Sequence, residues 1–114
     1  MSTSTHRIVL WGDVDLYRKA ELQELVREFQ DSESKSVSVF MGEVTFVDSV
    51  GLAFLVELRG VAQTLGGTVQ VVDASEFVLR LLRLVDVAGT FVVTRTDSTD
   101  LSALDVPAET HAAG

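Results

Sequence analysis

The sequence predicts a single α/β domain: a small mixed β-sheet of about four strands covered by helices. Short β-branched runs alternate with segments of three- and four-residue apolar period, the pattern of strands separated by helices. The 114 residues suit one domain, and 46% hydrophobic against 23% charged residues, with one proline, supply enough apolar material for a core. Gly-rich and polar clusters fall between the periodic segments, where turns belong.

Residues 1–6 read as a flexible lead-in, and Ile8, Val9, Leu10 and Trp11 as a first strand closed by Gly12. Over residues 16–30, Ala20, Leu22, Leu25, Val26 and Phe29 mark one apolar face of a helix, with Asp15 placed to cap its first amides. A polar loop precedes a second strand over residues 37–41, with Val37, Val39 and Met41 on one side and Phe40 on the other. Residues 42–48 read as an apolar connection that delivers Asp48-Ser49-Val50-Gly51 to a second helix. The inner stripe of that helix is expected to be Leu52, Leu55, Val56, Ala62 and Leu65, and Gly66-Gly67 ends it because glycine accepts the left-handed C-cap conformation.

Residues 68–72 form a buried strand by composition, and Ser75 caps a short helix carrying Phe77, Leu81, Leu82 and Leu84. That helix is apolar almost all round, interrupted by Arg80 and Arg83, and its expected role is core. A last strand over residues 90–94 and a short helix over 98–104 complete the domain, and residues 105–114 lack an apolar period and read as a disordered tail.

Composition narrows the function. Nine Lys and Arg against 17 Asp and Glu give a net charge of −8 with no basic cluster, which argues against tracking nucleic-acid phosphates or docking on an anionic leaflet and suits a basic protein partner. Zero cysteines remove disulfides, thiolate metal sites and cysteine nucleophiles. The two histidines, His6 and His111, fall in the expected loose ends, so a serine hydrolase has no base. No phosphate-loop, dinucleotide or calcium-loop pattern is present. We therefore expect no enzyme, no metal and no cofactor. The N-terminus lacks a signal-peptide core, and no apolar run approaches the roughly 20 residues of a membrane span, so a cytoplasmic protein is expected.

One constellation stands out, Asp48-Ser49-Val50-Gly51 at a helix start. Asp and Ser are favoured N-cap residues and a following Gly allows close packing, so the segment has a purely structural reading. It also has a regulatory one: a phosphate on Ser49 would add about −1.5 to −2 charges beside Asp48, which a helix N-terminus tolerates and an acidic or apolar partner surface does not.

The segments Leu10-Trp11-Gly12-Asp13-Val14-Asp15, Glu21-Leu22, Val44-Thr45-Phe46-Val47-Asp48-Ser49-Val50-Gly51-Leu52 and Leu65-Gly66-Gly67-Thr68-Val69-Gln70-Val71-Val72, in that order, resemble the STAS domain of bacterial anti-sigma factor antagonists over roughly residues 7–104. The resemblance implies a small α/β domain that binds an anti-sigma factor acting as a serine kinase, frees a sigma factor in a stress response by partner switching, and is reset by a serine phosphatase. It implies Ser49 as phosphoacceptor, with Asp15, Asp48, Val50, Gly51 and Leu52 forming the surrounding loop and partner contact. It departs from the family at Phe40, where an Asp or Asn usually stands eight residues ahead of the motif Asp, and at Val50, which offers no second hydroxyl. Similar stand-alone STAS proteins serve as adaptors of lipid-transport ATPases, which makes that role the alternative, beside a constitutive unphosphorylated antagonist. A monomer or weak dimer is expected, without membrane insertion.

Overall fold

The computed structural model describes residues 4–86, 89–96 and 111–113. Its elements are β1 (Thr5–Val14), a 3-10 turn (Leu16–Arg18), α1 (Lys19–Asp31), β2 (Ser36–Val47), α2 (Ser49–Leu65), β3 (Val69–Val72), α3 (Glu76–Val85), β4 (Phe91–Thr94) and β5 (His111–Ala113). The strands lie in the order β4-β3-β2-β1-β5, and all four pairings are parallel. The α/β class is as expected, but the sheet is parallel rather than mixed and has five strands. Each of the first three connections carries a helix, which returns the chain to the same edge of the sheet and makes neighbouring strands parallel. Right-handed crossovers stepping in one direction from β1 to β4 place α1, α2 and α3 on one face.

The core lies between that face and the helices. His6, Ile8 and Leu10 of β1, Val37, Val39 and Met41 of β2, and Val69 and Val71 of β3 alternate toward it, and the His6 ring stacks on Phe29 of α1 with centroids 5.8 Å apart. His6 is therefore half-buried strand, not lead-in; the strand begins at Thr5. Helix α1 buries Leu22, Leu25, Val26 and Phe29, whereas Ala20 is exposed. On the opposite face Ser38 donates to Gln70 Oε1 (2.9 Å), Gln70 Nε2 donates to the Thr94 hydroxyl (3.3 Å), and the Arg7 guanidinium lies 5.9 Å from the Phe40 ring centroid.

Several boundaries differ from the sequence reading, each for a non-local reason. Gly12, at φ +72°, sits inside β1 rather than ending it. The pairing shifts between Val9 and Trp11 and between Gly12 and Asp13, each time placing an extra residue on β2, so this end of the ladder is a pair of bulges that glycine's positive φ accommodates. Residues 42–47 are no loose connection but the second half of β2, held by β1 along its whole length. Helix α2 buries Gly51, Phe54, Leu55, Leu58 and Ala62, so Leu52 and Val56 are only half-buried and Leu65 is exposed. Helix α3 buries Val78, Leu79 and Leu82 but leaves Phe77 and Leu84 to solvent, so it is not core all round. Trp11 is likewise exposed. His111–Ala113 pair with Ile8, Val9 and Leu10 as an edge strand, within the stretch read as a tail, while the expected helix over residues 98–104 lies outside the described residues.

The glycine stop after α2 behaves as predicted. Gly66 takes φ +84° and the Gly67 amide donates to Ala62 O (2.8 Å), a Schellman-type closure. A Cβ on Gly67 would collide with the Lys35 carbonyl, whereas one on Gly60, in the exposed middle of α2, would meet nothing within 4 Å. Gly60→Ala is therefore expected to raise stability by about 0.5–1 kcal/mol and Gly67→Ala to lower it by about 1–3 kcal/mol in urea titrations. Equal effects of the two substitutions would contradict this account.

Candidate functional site

The expected site residues converge where β1 and β2 end and α1 and α2 begin. Both strands deliver the chain to the same edge of the sheet, and both following helices start there with unpaired amides. Asp48, the N-cap of α2, satisfies amides of both segments. Its Oδ1 accepts from Val50 N (2.8 Å) and Gly51 N (3.1 Å), and its Oδ2 accepts from Leu16 N (3.0 Å), 32 positions earlier in the chain. Asp15 caps the 3-10 turn in the same manner, its Oδ1 accepting from Tyr17 N (3.1 Å). The Asp15 turn and the Asp48 turn are thus joined through the Leu16 amide.

Gly51 explains how they come so close. A Cβ there would sit 2.5 Å from Val14 O and 2.9 Å from Val47 Cγ1, so only glycine lets the first turn of α2 lie against the ends of both strands. That contact also fixes the rotation of the helix: Gly51 faces inward, and Leu52, one residue on, turns partly out.

Partial desolvation disfavours the Asp48 carboxylate, but the hydrogen bonds from the amides of Gly51, Leu16, Val50 and Asp48 itself outweigh it and hold the acid below its ordinary value of 3.8. Asp86, at the end of α3, follows the same logic. Desolvation raises it, while the amides of Phe91 and Thr90, the Thr90 hydroxyl and Arg59 (3.1 Å) together lower it.

Ser49 is the first residue of α2, and it is exposed. It stands at the rim of a groove of ≈ 330 Å³ between α1 and α2, whose other walls are Lys19, Leu22, Gln23, Val50, Ala53, Phe54 and Glu57. Around the same end of the molecule Leu16 (57% exposed), Tyr17 (92%) and Phe46 (47%) present apolar surface. Such a patch, rimmed by Asp15, Asp48 and Ser49, has the composition of a protein contact.

Sequence reasoning missed the clamp that shapes this end. Arg18 Nη1 donates to the carbonyls of Trp11 (2.7 Å) and Asp13 (2.6 Å) and its Nε to Glu21 (3.2 Å), while the Thr45 hydroxyl donates to Asp13 Oδ1 (2.8 Å). A lone arginine after a turn carries no signal of that role; its acceptors are carbonyls freed by the bulged ladder. Phe40 lies partway along β2, eight residues from Asp48. At about 3.3 Å per residue it is roughly 26 Å up the strand, too far for a polar side chain at that position to join the Asp48 turn. Among the described residues no group of three or more His, Asp or Glu side chains could hold a metal, and no helix is long and apolar enough to cross a membrane.

The chain matches the family model described as "Mlab, STAS domain" over residues 1–95, and it belongs to the STAS domain family. Three solved structures share its fold. The anti-sigma factor antagonist SpoIIAA in its unphosphorylated form aligns with TM-score 0.58 at 17% identity, covering 92% of this chain and 90% of that one. An anti-sigma factor antagonist proposed for Thermotoga maritima, TM1081, aligns with TM-score 0.69 at 17% identity, covering 91% and 92%. The Bacillus cell fate determinant SpoIIAA in its phosphorylated form aligns with TM-score 0.59 at 11% identity, covering 91% and 96%.

The depressed acids predict the pH dependence of folding. A carboxyl whose folded-state value lies below the unfolded one contributes stability above the unfolded value, near 3.8 here, and loses it as pH falls through the folded value. Urea midpoints should therefore fall between about pH 5 and pH 3, and Asp48→Asn, which keeps an acceptor oxygen but no charge, should show a shallower fall. An identical slope in the variant would show that Asp48 titrates alike in both states.

Proposed function

We propose that this STAS protein is an anti-sigma factor antagonist that binds an anti-sigma factor acting as a serine kinase, and that reversible phosphorylation of Ser49 switches the binding. The observation that carries this reading is the position of Ser49, an exposed hydroxyl at the start of α2, on the rim of the α1–α2 groove and beside an apolar surface. A seryl phosphate there gains from the positive end of the helix, so the fold survives it. The same phosphate adds about −1.5 to −2 charges next to Asp48 and Asp15, and an apolar or acidic partner face seated over Leu16, Tyr17 and Phe46 is then repelled. Asp48 and Gly51 hold the loop in shape, Asp15 sets the neighbouring turn, and Val50 and Leu52 supply contact. A serine phosphatase would restore the binding form. In this reading the protein is a cytoplasmic binding module rather than a catalyst, and it acts without metal or cofactor.

A second reading is favoured by one observation, the description of the matching family, which names Mlab. An adaptor bound to the ATPase subunit of a lipid transporter would use the same apolar end of the molecule, with Ser49 as a contact residue and no cycle of phosphorylation.

Paired capture from lysate of the native cell, with wild-type protein, Ser49→Ala and Ser49→Asp as baits and mass spectrometry as readout, separates the readings. The switch predicts an anti-sigma kinase recovered by wild type and Ser49→Ala, with recovery falling at least tenfold for Ser49→Asp, about 1.4 kcal/mol or more of binding. Equal recovery by all three would leave a constitutive antagonist and end the phosphoswitch. Recovery of an ATPase subunit in place of the kinase would establish the adaptor.

A further inference from the structure

Helix α3, on the far side of α2 from α1, has an outer face that neither the fold nor the proposed switch uses. Phe77, Arg80 and Leu84 follow one another at three- and four-residue steps directly opposite the buried Val78, Leu79 and Leu82. Phe77 is 49% exposed and Leu84 75%. Arg83 lies one helical step from Arg80, on the rim of a second groove of ≈ 310 Å³ whose floor includes Leu79, Leu82, Phe91 and Val93. The other cations of this side are spoken for: Arg59 pairs with Asp86 at 3.1 Å and lies 5.0 Å over the Phe91 ring, and Arg95 reaches Glu76 at 3.7 Å. Among the described residues Arg80 and Arg83 have no ion pair or hydrogen bond.

In a chain of net charge −8 this is an unusual surface, two open guanidinium groups one turn apart, bracketed by an exposed Phe and an exposed Leu. The geometry points to a second docking surface, Phe77, Arg80, Arg83 and Leu84 with the adjoining groove, that receives an amphipathic helix of a partner protein carrying carboxylates one turn apart between apolar residues. Charge complementarity selects this occupant. Guanidinium groups pair with carboxylates in a fixed fork, and a partner's Leu or Phe would enter the groove beside Arg83. A second copy docked face to face through α3 would set Arg80 and Arg83 against their own equivalents, and the overall negative charge opposes an anionic bilayer. No residue of this surface lines the groove beside Ser49.

The test uses the full chain and fluorescein-labelled 18-residue helical peptides of one apolar pattern, with Glu pairs or Lys pairs one turn apart, followed by fluorescence anisotropy. Vesicles containing phosphatidylglycerol and a peptide of residues 97–110 serve as the other occupants. The Glu peptide should bind Ser49→Asp and Asp48→Asn as tightly as wild type, and Arg80→Glu/Arg83→Glu should weaken it about tenfold while strengthening the Lys peptide. Because both arginines are exposed, the double variant should keep the wild-type circular dichroism and urea midpoint. Single Phe77→Ser and Leu84→Ser variants should weaken the Glu peptide without altering its salt dependence. Equal affinity for Glu and Lys peptides, affinity unmoved by the double arginine variant, or binding only to vesicles or to the 97–110 peptide would each overturn the proposal.

Discussion

One carboxylate organises the end of the molecule on which the rest depends. Two parallel strands end side by side, and each is followed by a helical segment whose first amides have no partner within the helix. Asp48 meets three of those amides, two in its own helix and one at Leu16, and so joins segments that are 32 positions apart. The same geometry needs glycine at position 51, because α2 starts almost in contact with the Val14 carbonyl. Ser49 lies between these two constraints and is the residue that neither one uses. Its exposure follows from the cap beside it: Asp48 satisfies the amides that a serine would otherwise turn inward to meet.

The parallel sheet accounts for the location of this chemistry. In a sheet built from right-handed crossovers, the ends of strands and the beginnings of helices gather on one edge, where free amides and loop residues lie together. The bulged pairing of β1 with β2 adds to this by releasing carbonyls that Arg18 collects, and the resulting turn displays Leu16 and Tyr17. The likeness in fold to structures of 11–17% identity has the same origin.

Charge divides the molecule. Asp13, Asp15 and Asp48 lie together at the Ser49 end, whereas Arg59, Arg80, Arg83 and Arg95 gather along α3 and β4. One of them, Arg59, closes an ion pair with Asp86 in the turn into β4, where Asp86 accepts from the Thr90 and Phe91 amides as Asp48 does at the opposite end. The net charge alone conceals this arrangement, since a chain of −8 still presents a cationic helix face.

Features governed by neighbours a few residues away were legible in the sequence. Asp48 and Ser75 as N-caps, Gly66-Gly67 as the stop after α2, and the buried side of β2 over residues 37–41 follow from orphan amides, the left-handed C-cap and strand alternation, all local physics. Other features depended on partners far along the chain. Gly12 lies inside β1 rather than at its end because β2 continued to pair beyond it, and residues 42–47 became strand because β1 was there to bond them. The rotation of α2, which buries Phe54 and Leu58 rather than Leu52 and Val56, was set by the contact of Gly51 with Val14. The pairing of His111–Ala113 required an open edge on β1. The sequence by itself determined where α2 begins and stops and where α3 begins, while α1 starts at Lys19, after a 3-10 turn, rather than at residue 16; only the tertiary structure decided which face turns inward and how far each strand runs, because those depend on hydrogen-bond and packing partners that no local window contains.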